Sequence, residues 1–152
     1  STWSDKIATT TWKVGGGSWS NIGTSVPKTA YQYELGTNAS TTTYDAKIGL
    51  MYVTDYYYSA SPSAWTLVGY NSDYSKTYAS AKGENWLYGG GWEWTISRYS
   101  DDSFIAFYVY YYGGVDRDGV FSDFGVRPSF NLLSSVTYVS GDGTAENPII
   151  IN

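Results

Sequence analysis

Short hydrophobic stretches separated by glycine- and serine-rich turns make up most of this sequence, and they limit the elements it can form. Triple-glycine runs stand at 15–17 and 89–91, and long amphipathic helical patterns are scarce. Turn-forming clusters between short apolar runs are typical of strands joined by loops. We therefore predict an α+β fold that is mostly β, with short strands, long loops and one or two short helices. A length of 152 residues suits a single domain over 1–152.

Local patterns predict individual elements. Apolar and polar residues alternate over 29–35, and a compact apolar run covers 48–53; we expect a strand at each. The region 1–43 is expected to hold the N-terminal strands and loops. Further strands are predicted at 86–88, 92–96, 136–139 and 148–151, with a glycine loop at 89–91 and a turn at 140–144.

Composition excludes several classes of function. The chain has no Cys and no His, which removes disulfides, thiolate and imidazole metal sites, and Ser-His-Asp or Cys nucleophile chemistry. Its net charge is −5 with a pI near 4.4, so it lacks the basic surface that nucleic acids and anionic membranes require. No run of 18 apolar residues is present, and we expect no membrane insertion by this chain. No cofactor or metal is predicted.

Aromatic residues are unusually frequent. Tyr numbers 17, Trp 7 and Phe 5, together 19% of the chain against 15% charged residues. Tyr combined with Ser and Gly is typical of antibody binding loops, because Tyr offers a large amphipathic contact area with few rotors to order. The same composition also suits a β-protein whose tyrosines line a half-exposed sheet. Composition alone leaves both interpretations open.

The segment 99–124 differs from the rest of the chain. Lys, Glu, Gln, Trp and Met are all missing from its 26 residues, although they number 19 among the other 126 residues. About four would therefore be expected in the segment. These five are the amino acids that no codon ending in C or T encodes. The segment is thus compatible throughout with codons of that form.

Fixed and variable positions can be separated within this segment. Apolar or glycine residues divide it into blocks of one, three, one, four and three residues. We expect the dividing residues to be scaffold anchors: Phe104, Ala106, Phe107, Val109, Gly113, Val115 and Val120. Core positions tolerate little change in volume, so variation would have to lie on exposed side chains between such anchors.

The chain resembles the variable proteins of diversity-generating retroelements, most closely the pilin-like or surface-displayed members from gut Firmicutes-type bacteria. The resemblance covers roughly 44–152. It is carried by residues 48–56, by Trp86-Leu87 and Trp94-Thr95-Ile96-Ser97, by Gly125-Val126-Arg127-Pro128, and by the 139–144 ending. In that family, Asn codons of a template repeat are copied with errors at adenines, which yields Tyr, Asp, Ser, Gly, Arg, Phe or Ile.

This resemblance implies a C-type-lectin-type fold and a non-catalytic ligand-binding or adhesion receptor on the bacterial cell surface or a pilus. We expect a leader or anchor before Ser1, where the chain begins without Met. Arg127 is predicted to be structural, its guanidinium satisfying loop carbonyls. The implied hypervariable contact residues are Tyr99, Asp101, Asp102, Ile105, Tyr108, Tyr110, Tyr111, Tyr112, Gly114, Asp116, Arg117, Asp118, Gly119, Phe121, Ser122 and Asp123, with Ile105 equally suited to the core.

Charge placement suggests the kind of partner. The segment 99–124 contains five Asp and one Arg, so it carries −4 of the chain's net charge of −5. Beside several tyrosines, this charge favours a protein or cell-surface ligand with exposed Lys or Arg, bound through ion pairs and cation–π contacts. Random diversification without a selected ligand would leave the same charge.

Three other interpretations remain open. Residues 116–119 (Asp-Arg-Asp-Gly) match half of a calcium loop but lack its closing Glu. Glu93 and Asp55 could form a glycosidase-like carboxylate pair, although nothing in the sequence indicates that they are close. A fixed-specificity carbohydrate-binding module, with exposed Trp and Tyr stacked on sugar rings, is the main alternative.

Overall fold

The computed structural model describes residues 3–62 and 82–152. The fold is α+β with more strand than helix. Two helices lie wholly within the described residues, α1 (Pro27–Glu34) and α2 (Val53–Tyr58), with a 3₁₀ turn at Trp3–Lys6 and a π-type turn at Trp19–Gly23; residues 82–84 are also helical. The strands of the described residues are β1 (Thr10–Lys13), β2 (Thr43–Ala46), β3 (Gly49–Leu50), β4 (Glu93–Arg98), β5 (Ile105–Val109), β6 (Val115–Gly119), β7 (Pro128–Ser129), β8 (Tyr138–Ser140) and β9 (Ile150–Ile151).

Two of the three strands of the antiparallel sheet β4–β5–β6 come from the segment 99–124, namely β5 and β6. Phe107, Val109 and Val115 point from this sheet into the core, where they pack with the buried face of α2. That face includes Tyr56 and Tyr57, whose side chains are 0% and 1% exposed. The other pairs, β1–β2, β3–β7 and β8–β9, are small two-stranded sheets around this core. The segment 99–124 therefore contributes two strands to the central sheet and is not an appended loop.

The strand predicted at 29–35 is wrong, because these residues belong to helix α1. Pro27 occupies the start of the helix, where its fixed φ favours helical geometry and its missing N–H costs nothing. The buried residues are Pro27, Ala30 and Glu34, whose spacing of three and four is helical. The alternation of Tyr31, Tyr33 and Leu35 with polar residues resembles a strand pattern. These three residues are not the buried ones, however, so their spacing does not indicate the secondary structure.

Glu34 joins three elements in the interior. Its side chain is 3% exposed, and its carboxylate accepts hydrogen bonds from the backbone N–H of Val53 at 3.1 Å and of Thr54 at 2.9 Å. These are the first N–H groups of α2, which lack partners within the helix. The Ser97 hydroxyl of β4 donates to the same carboxylate. One side chain at the end of α1 thus fixes the start of α2 against the central sheet.

Other local predictions had mixed outcomes. Of the strand predicted at 48–53, only Gly49–Leu50 pairs, with β7, and α2 begins at Val53. Residues 86–88 form a turn instead of a strand, closed by the Tyr88 N–H on the Asn85 carbonyl at 3.1 Å. The strand at 92–96 is confirmed as β4, and the C-terminal hairpin is confirmed as the shorter pair β8–β9.

The predicted anchors divide into two groups. Phe107, Val109 and Val115 are buried, as expected, and Gly113 adopts a φ of 84° that favours glycine. Phe104 and Val120 are exposed, with 69% and 55% of their surface accessible, so these two anchors lie outside the core, and Ala106 is half-buried. They lie where the ends of β5 and β6 meet, and the Val120 N–H donates to the Phe104 carbonyl at 2.9 Å. Their main-chain groups thus extend the pairing of the two strands, while their side chains lie outside the core.

The burial of Glu34 predicts a pH-dependent stability. Desolvation raises the pKa of this carboxyl from 4.5 to about 7, against the opposing effect of its hydrogen bonds. The folded state therefore binds the proton more tightly than the unfolded state. The resulting stabilisation is complete below about pH 4.5 and is lost as the pH rises through 7. Relative to Glu34→Gln, we expect the wild type to lose about 3 kcal/mol across this range in denaturant titrations.

Glu146→Gln is the matched control, because Glu146 is exposed on the C-terminal turn. This variant should follow the wild-type pH dependence. Parallel curves for the wild type and Glu34→Gln would contradict the prediction.

Candidate functional site

The outer face of the central sheet displays an aromatic row beside a carboxylate. Directly opposed residues of antiparallel strands point to the same face. Trp94 of β4 pairs with Tyr108 of β5, which pairs with Asp116 of β6. The next row contains Arg98, Ala106 and Asp118. Strand alternation thus places two predicted contact carboxylates, Asp116 and Asp118, on one face.

Seven rings form a continuous aromatic cluster at one end of this face. Trp92 stacks on Tyr110 with centroids 5.9 Å apart, and Tyr110 contacts Tyr111 and Tyr112 at 4.5 and 5.2 Å. Phe124 connects this group to the sheet, since its centroid lies 4.7 Å from that of Trp94. The cluster consists of Trp92, Trp94, Tyr108, Tyr110, Tyr111, Tyr112 and Phe124. Four of the seven rings, those of Tyr108 and Tyr110 to Tyr112, belong to predicted contact residues.

Hydrogen bonds to the backbone hold the turn that carries three of these tyrosines. The turn closes with the Tyr110 N–H on the Gly114 carbonyl and the Gly113 N–H on the Tyr110 carbonyl, both at 2.7 Å. From the core, the Tyr56 hydroxyl donates to the Gly113 carbonyl at 2.7 Å. The Tyr88 hydroxyl donates to the Tyr111 carbonyl. The main chain is therefore fixed while the side chains of the turn face outward.

Arg117 points to the opposite face of the sheet. Its guanidinium carbon lies 4.4 Å from the Trp19 ring centroid and 4.9 Å from that of Tyr99. Both rings also pack on Phe107, with centroids 6.1 Å away. Stacking on aromatic faces stabilises a guanidinium. The one basic residue of the segment is thus separated from Asp116 and Asp118 by the sheet.

Tyr99 and its neighbours form a second, smaller group of predicted contact residues. A hydrogen bond with Asp101 is the main effect that raises the pKa of the Tyr99 hydroxyl. Asp102 is exposed and caps the following turn by accepting the Phe104 N–H at 2.8 Å. This group lies with Arg117 and not with the aromatic cluster. The predicted contact residues therefore cover two surfaces instead of one.

Exposure differs among the predicted contact residues. Tyr108 is only 6% exposed, whereas a contact residue is expected to be exposed. Its ring packs beneath the other rings of the cluster. Gly119 is also buried, whereas Phe121 is 84% exposed. The exposed residues are Asp101, Asp102, Tyr111, Phe121 and Asp123; the half-buried ones are Tyr99, Ile105, Tyr110, Tyr112, Gly114, Asp116, Arg117, Asp118 and Ser122.

The loop after β6 closes over the sheet. The Ser122 hydroxyl donates to Asp118 at 3.2 Å, and the Trp94 indole N–H donates to the Ser122 carbonyl at 3.3 Å. Trp92 and Gly125 exchange further contacts, with the Gly125 N–H donating to the Trp92 carbonyl at 2.9 Å. These bonds bring Phe124 onto the rings. Sequence analysis did not assign Trp92, Trp94 or Phe124 to the surface, although the alternation of β4 could have placed Trp94 there.

Arg127 is confirmed as a structural residue. Its Nη1 donates to the Leu87 carbonyl at 2.9 Å, as expected for a loop carbonyl. Its Nη2 and Nε also lie 2.9 and 2.8 Å from the two carboxylate oxygens of Glu93, a partner that sequence analysis did not identify. Burial raises the pKa of Glu93, and the guanidinium opposes that shift. The carboxylate considered for a glycosidase-like pair with Asp55 is thus engaged by Arg127.

The described residues contain no group of three or more Asp or Glu side chains that could hold a metal ion. Asp116 and Asp118 each accept the N–H of the following residue, at 2.8 and 2.7 Å.

Within 3–62 and 82–152, no helix is long and apolar enough to cross a membrane. No protein-family model, curated protein or solved structure matches this chain.

The Arg127–Glu93 ion pair predicts a measurable coupling. In a double-mutant cycle with Arg127→Ala and Glu93→Gln, we expect each single variant to lower the free energy of unfolding. The double variant should lose about 1 kcal/mol less than the sum of the two, because the pair is only half-buried. Urea denaturation of the four proteins measures this coupling. Strict additivity would show that the two side chains do not act together.

Proposed function

We propose that this chain is a non-catalytic ligand-binding receptor domain, which displays diversified residues of the segment 99–124 on a fixed scaffold of C-type-lectin type. The observation that carries this proposal is the burial of three predicted anchors between blocks that reach the surface. Phe107, Val109 and Val115 lie in the core. In the blocks 110–112 and 121–123, Tyr111, Phe121 and Asp123 are exposed and the other three residues are half-buried. A surface with this arrangement changes its chemistry without changing its core.

The aromatic cluster supports a binding role for this surface. Trp92 and Tyr111 are 45% and 36% exposed although they lie among other rings. Grouped tyrosines offer a large contact area at low entropic cost. The rigid backbone of the 110–114 turn adds preorganisation, which reduces the entropy lost on binding. Short helices packed on a loop-rich sheet agree with the lectin-type scaffold that the sequence resemblance implies.

The partner that this surface fits is a protein or cell-surface ligand with exposed Lys or Arg. Asp116 lies beside the aromatic row, and Arg117 is turned to the other face, so it does not neutralise that carboxylate from within the row. Carboxylates next to aromatic faces receive cations through ion pairs and cation–π contacts. Extracellular display on a bacterial surface or pilus is part of the same proposal.

Sequencing this gene across a natural population of its source tests the proposal directly. Substitutions confined to the predicted blocks within 99–124, in codons ending in C or T, are the expected result. Phe107, Val109 and Val115 should be unchanged. Substitutions spread evenly along the chain would exclude a diversified receptor.

Two displayed libraries test the tolerance that diversification requires. The first randomises Tyr111, Asp116, Asp118, Phe121 and Asp123 with codons ending in C or T. The second applies the same codons to the buried positions Val53, Tyr56, Phe107, Val109 and Val115. Exposed changes cost about 0.5 kcal/mol or less, whereas truncation of core side chains costs about 2–5 kcal/mol. We expect most of the first library and few of the second to resist proteolysis; equal fractions would contradict the assignment of anchors.

A lysine-rich peptide is the probe for the predicted charge preference, with a glutamate-rich peptide of equal length as its counterpart. The protein should bind the lysine-rich peptide more tightly, and added salt should weaken that binding. Asp116→Asn should lower the affinity about threefold, as expected for one partly exposed charge pair. Asp45→Asn is the control, because Asp45 is an exposed carboxylate of β2. Salt-independent binding would contradict the basic partner.

A further inference from the structure

A second concave surface lies outside the diversified segment. It is a cleft of about 360 Å³ whose lining includes Asp55, Tyr58, Trp86, Leu87 and Arg127. None of its lining residues belongs to 99–124. Clefts of roughly 300–1,000 Å³ are typical of small-molecule sites. Its volume lies at the lower end of that range, which suits a ligand of one or two rings.

Trp86 is an exposed ring on a firmly held turn. The side chain is 78% exposed, yet the preceding Asn85 is only 6% exposed. The Asn85 amide donates to the Tyr56 carbonyl at 2.8 Å, and its oxygen accepts the Leu87 N–H at 2.9 Å and the Ser59 hydroxyl. A buried polar network thus fixes the backbone on both sides of the indole. A ligand that stacks on this ring gains contact without having to order the turn.

Two opposite charges in the cleft restrict the ligand class. Asp55 is exposed and uses its Oδ2 to accept the Tyr52 N–H at 2.8 Å, which holds the carboxylate in place. Arg127 is fixed by Glu93 and Leu87, and a guanidinium has five N–H donors, more than these contacts use. An anion would face the Asp55 carboxylate. The charge of Arg127 is already paired with Glu93, so this side chain offers the ligand its remaining N–H donors. A neutral ligand that both donates and accepts hydrogen bonds can use both groups.

We propose that this cleft binds a neutral saccharide of one or two rings. A sugar ring has an apolar face that stacks on Trp86, while its hydroxyls donate to Asp55 and accept from Arg127. The site needs no calcium ion, because protein side chains supply both the donor and the acceptor. Its specificity would also stay constant while 99–124 changes, a consequence that rests on the proposed function; the binding itself does not.

Saturation-transfer NMR at millimolar sugar tests the site. The probes are the methyl glycosides of glucose, galactose, mannose and N-acetylglucosamine, measured with and without a calcium chelator. We expect transfer to at least one glycoside, unchanged by the chelator. Trp86→Ala should weaken binding about tenfold. Because the Trp86 side chain is exposed, its truncation removes no core packing, and thermal unfolding checks that the variant folds.

Two further variants keep the proposal falsifiable. Asp55→Asn retains an oxygen for the Tyr52 N–H but removes the charge, so it should weaken binding while leaving the fold intact. Trp3→Ala removes another exposed indole ring, 62% exposed, which does not line the cleft. This control variant should bind the glycosides like the wild type. Absence of transfer to all four glycosides would overturn the proposal. Equal binding by Trp86→Ala and the wild type, or loss of binding with chelator, would also overturn it.

Discussion

The contact between the Glu34 carboxylate and the first N–H groups of α2 is the one on which the rest of the structure depends. An eight-residue helix and a six-residue helix have little stability of their own. Glu34, at the end of α1, supplies the acceptor that the first N–H groups of α2 lack. Ser97 of β4 donates to the same carboxylate and so links both helices to the sheet. Because α2 carries Tyr56, the position of that helix also determines the support of the 110–114 turn.

The central sheet separates two kinds of chemistry. Its inner face contributes Phe107, Val109 and Val115 to the core, and its outer face presents rings and carboxylates. The stacking of Arg117 on Trp19 and Tyr99 gives the inner edge a cation held by aromatic faces. Arg117 and the two acids of its four-residue block thus lie on opposite sides of the sheet, while Arg98 shares the outer face in the same row as Asp118.

The sequence predicted strand β4 of the central sheet, whose buried and half-buried residues alternate. It did not predict β5 or β6 as strands, and in β5 the three consecutive residues 107–109 are all buried, so no alternation marks that strand. It also predicted the buried anchors and the loop-carbonyl role of Arg127. It misplaced α1, where the tyrosines alternate with a period of two while the residues that are actually buried follow a helical spacing. The partner Glu93 could not be foreseen, because a contact across 34 residues leaves no local pattern. The division of residues 116–118 between two faces was available from strand alternation, but the block was treated as one surface.

The supports of the 110–114 turn have a consequence for how such a surface can evolve. Tyr56 and Tyr88 reach the turn through their hydroxyls and bond to the carbonyl oxygens of Gly113 and Tyr111. Every amino acid has a main-chain carbonyl oxygen, so these two hydrogen bonds do not depend on which side chains stand in the turn. A new residue at 111 would accept the same hydrogen bond through its main-chain carbonyl as Tyr111 does. The backbone of the turn can therefore stay the same while its side chains change. Gly113 is the exception, because its positive φ favours glycine.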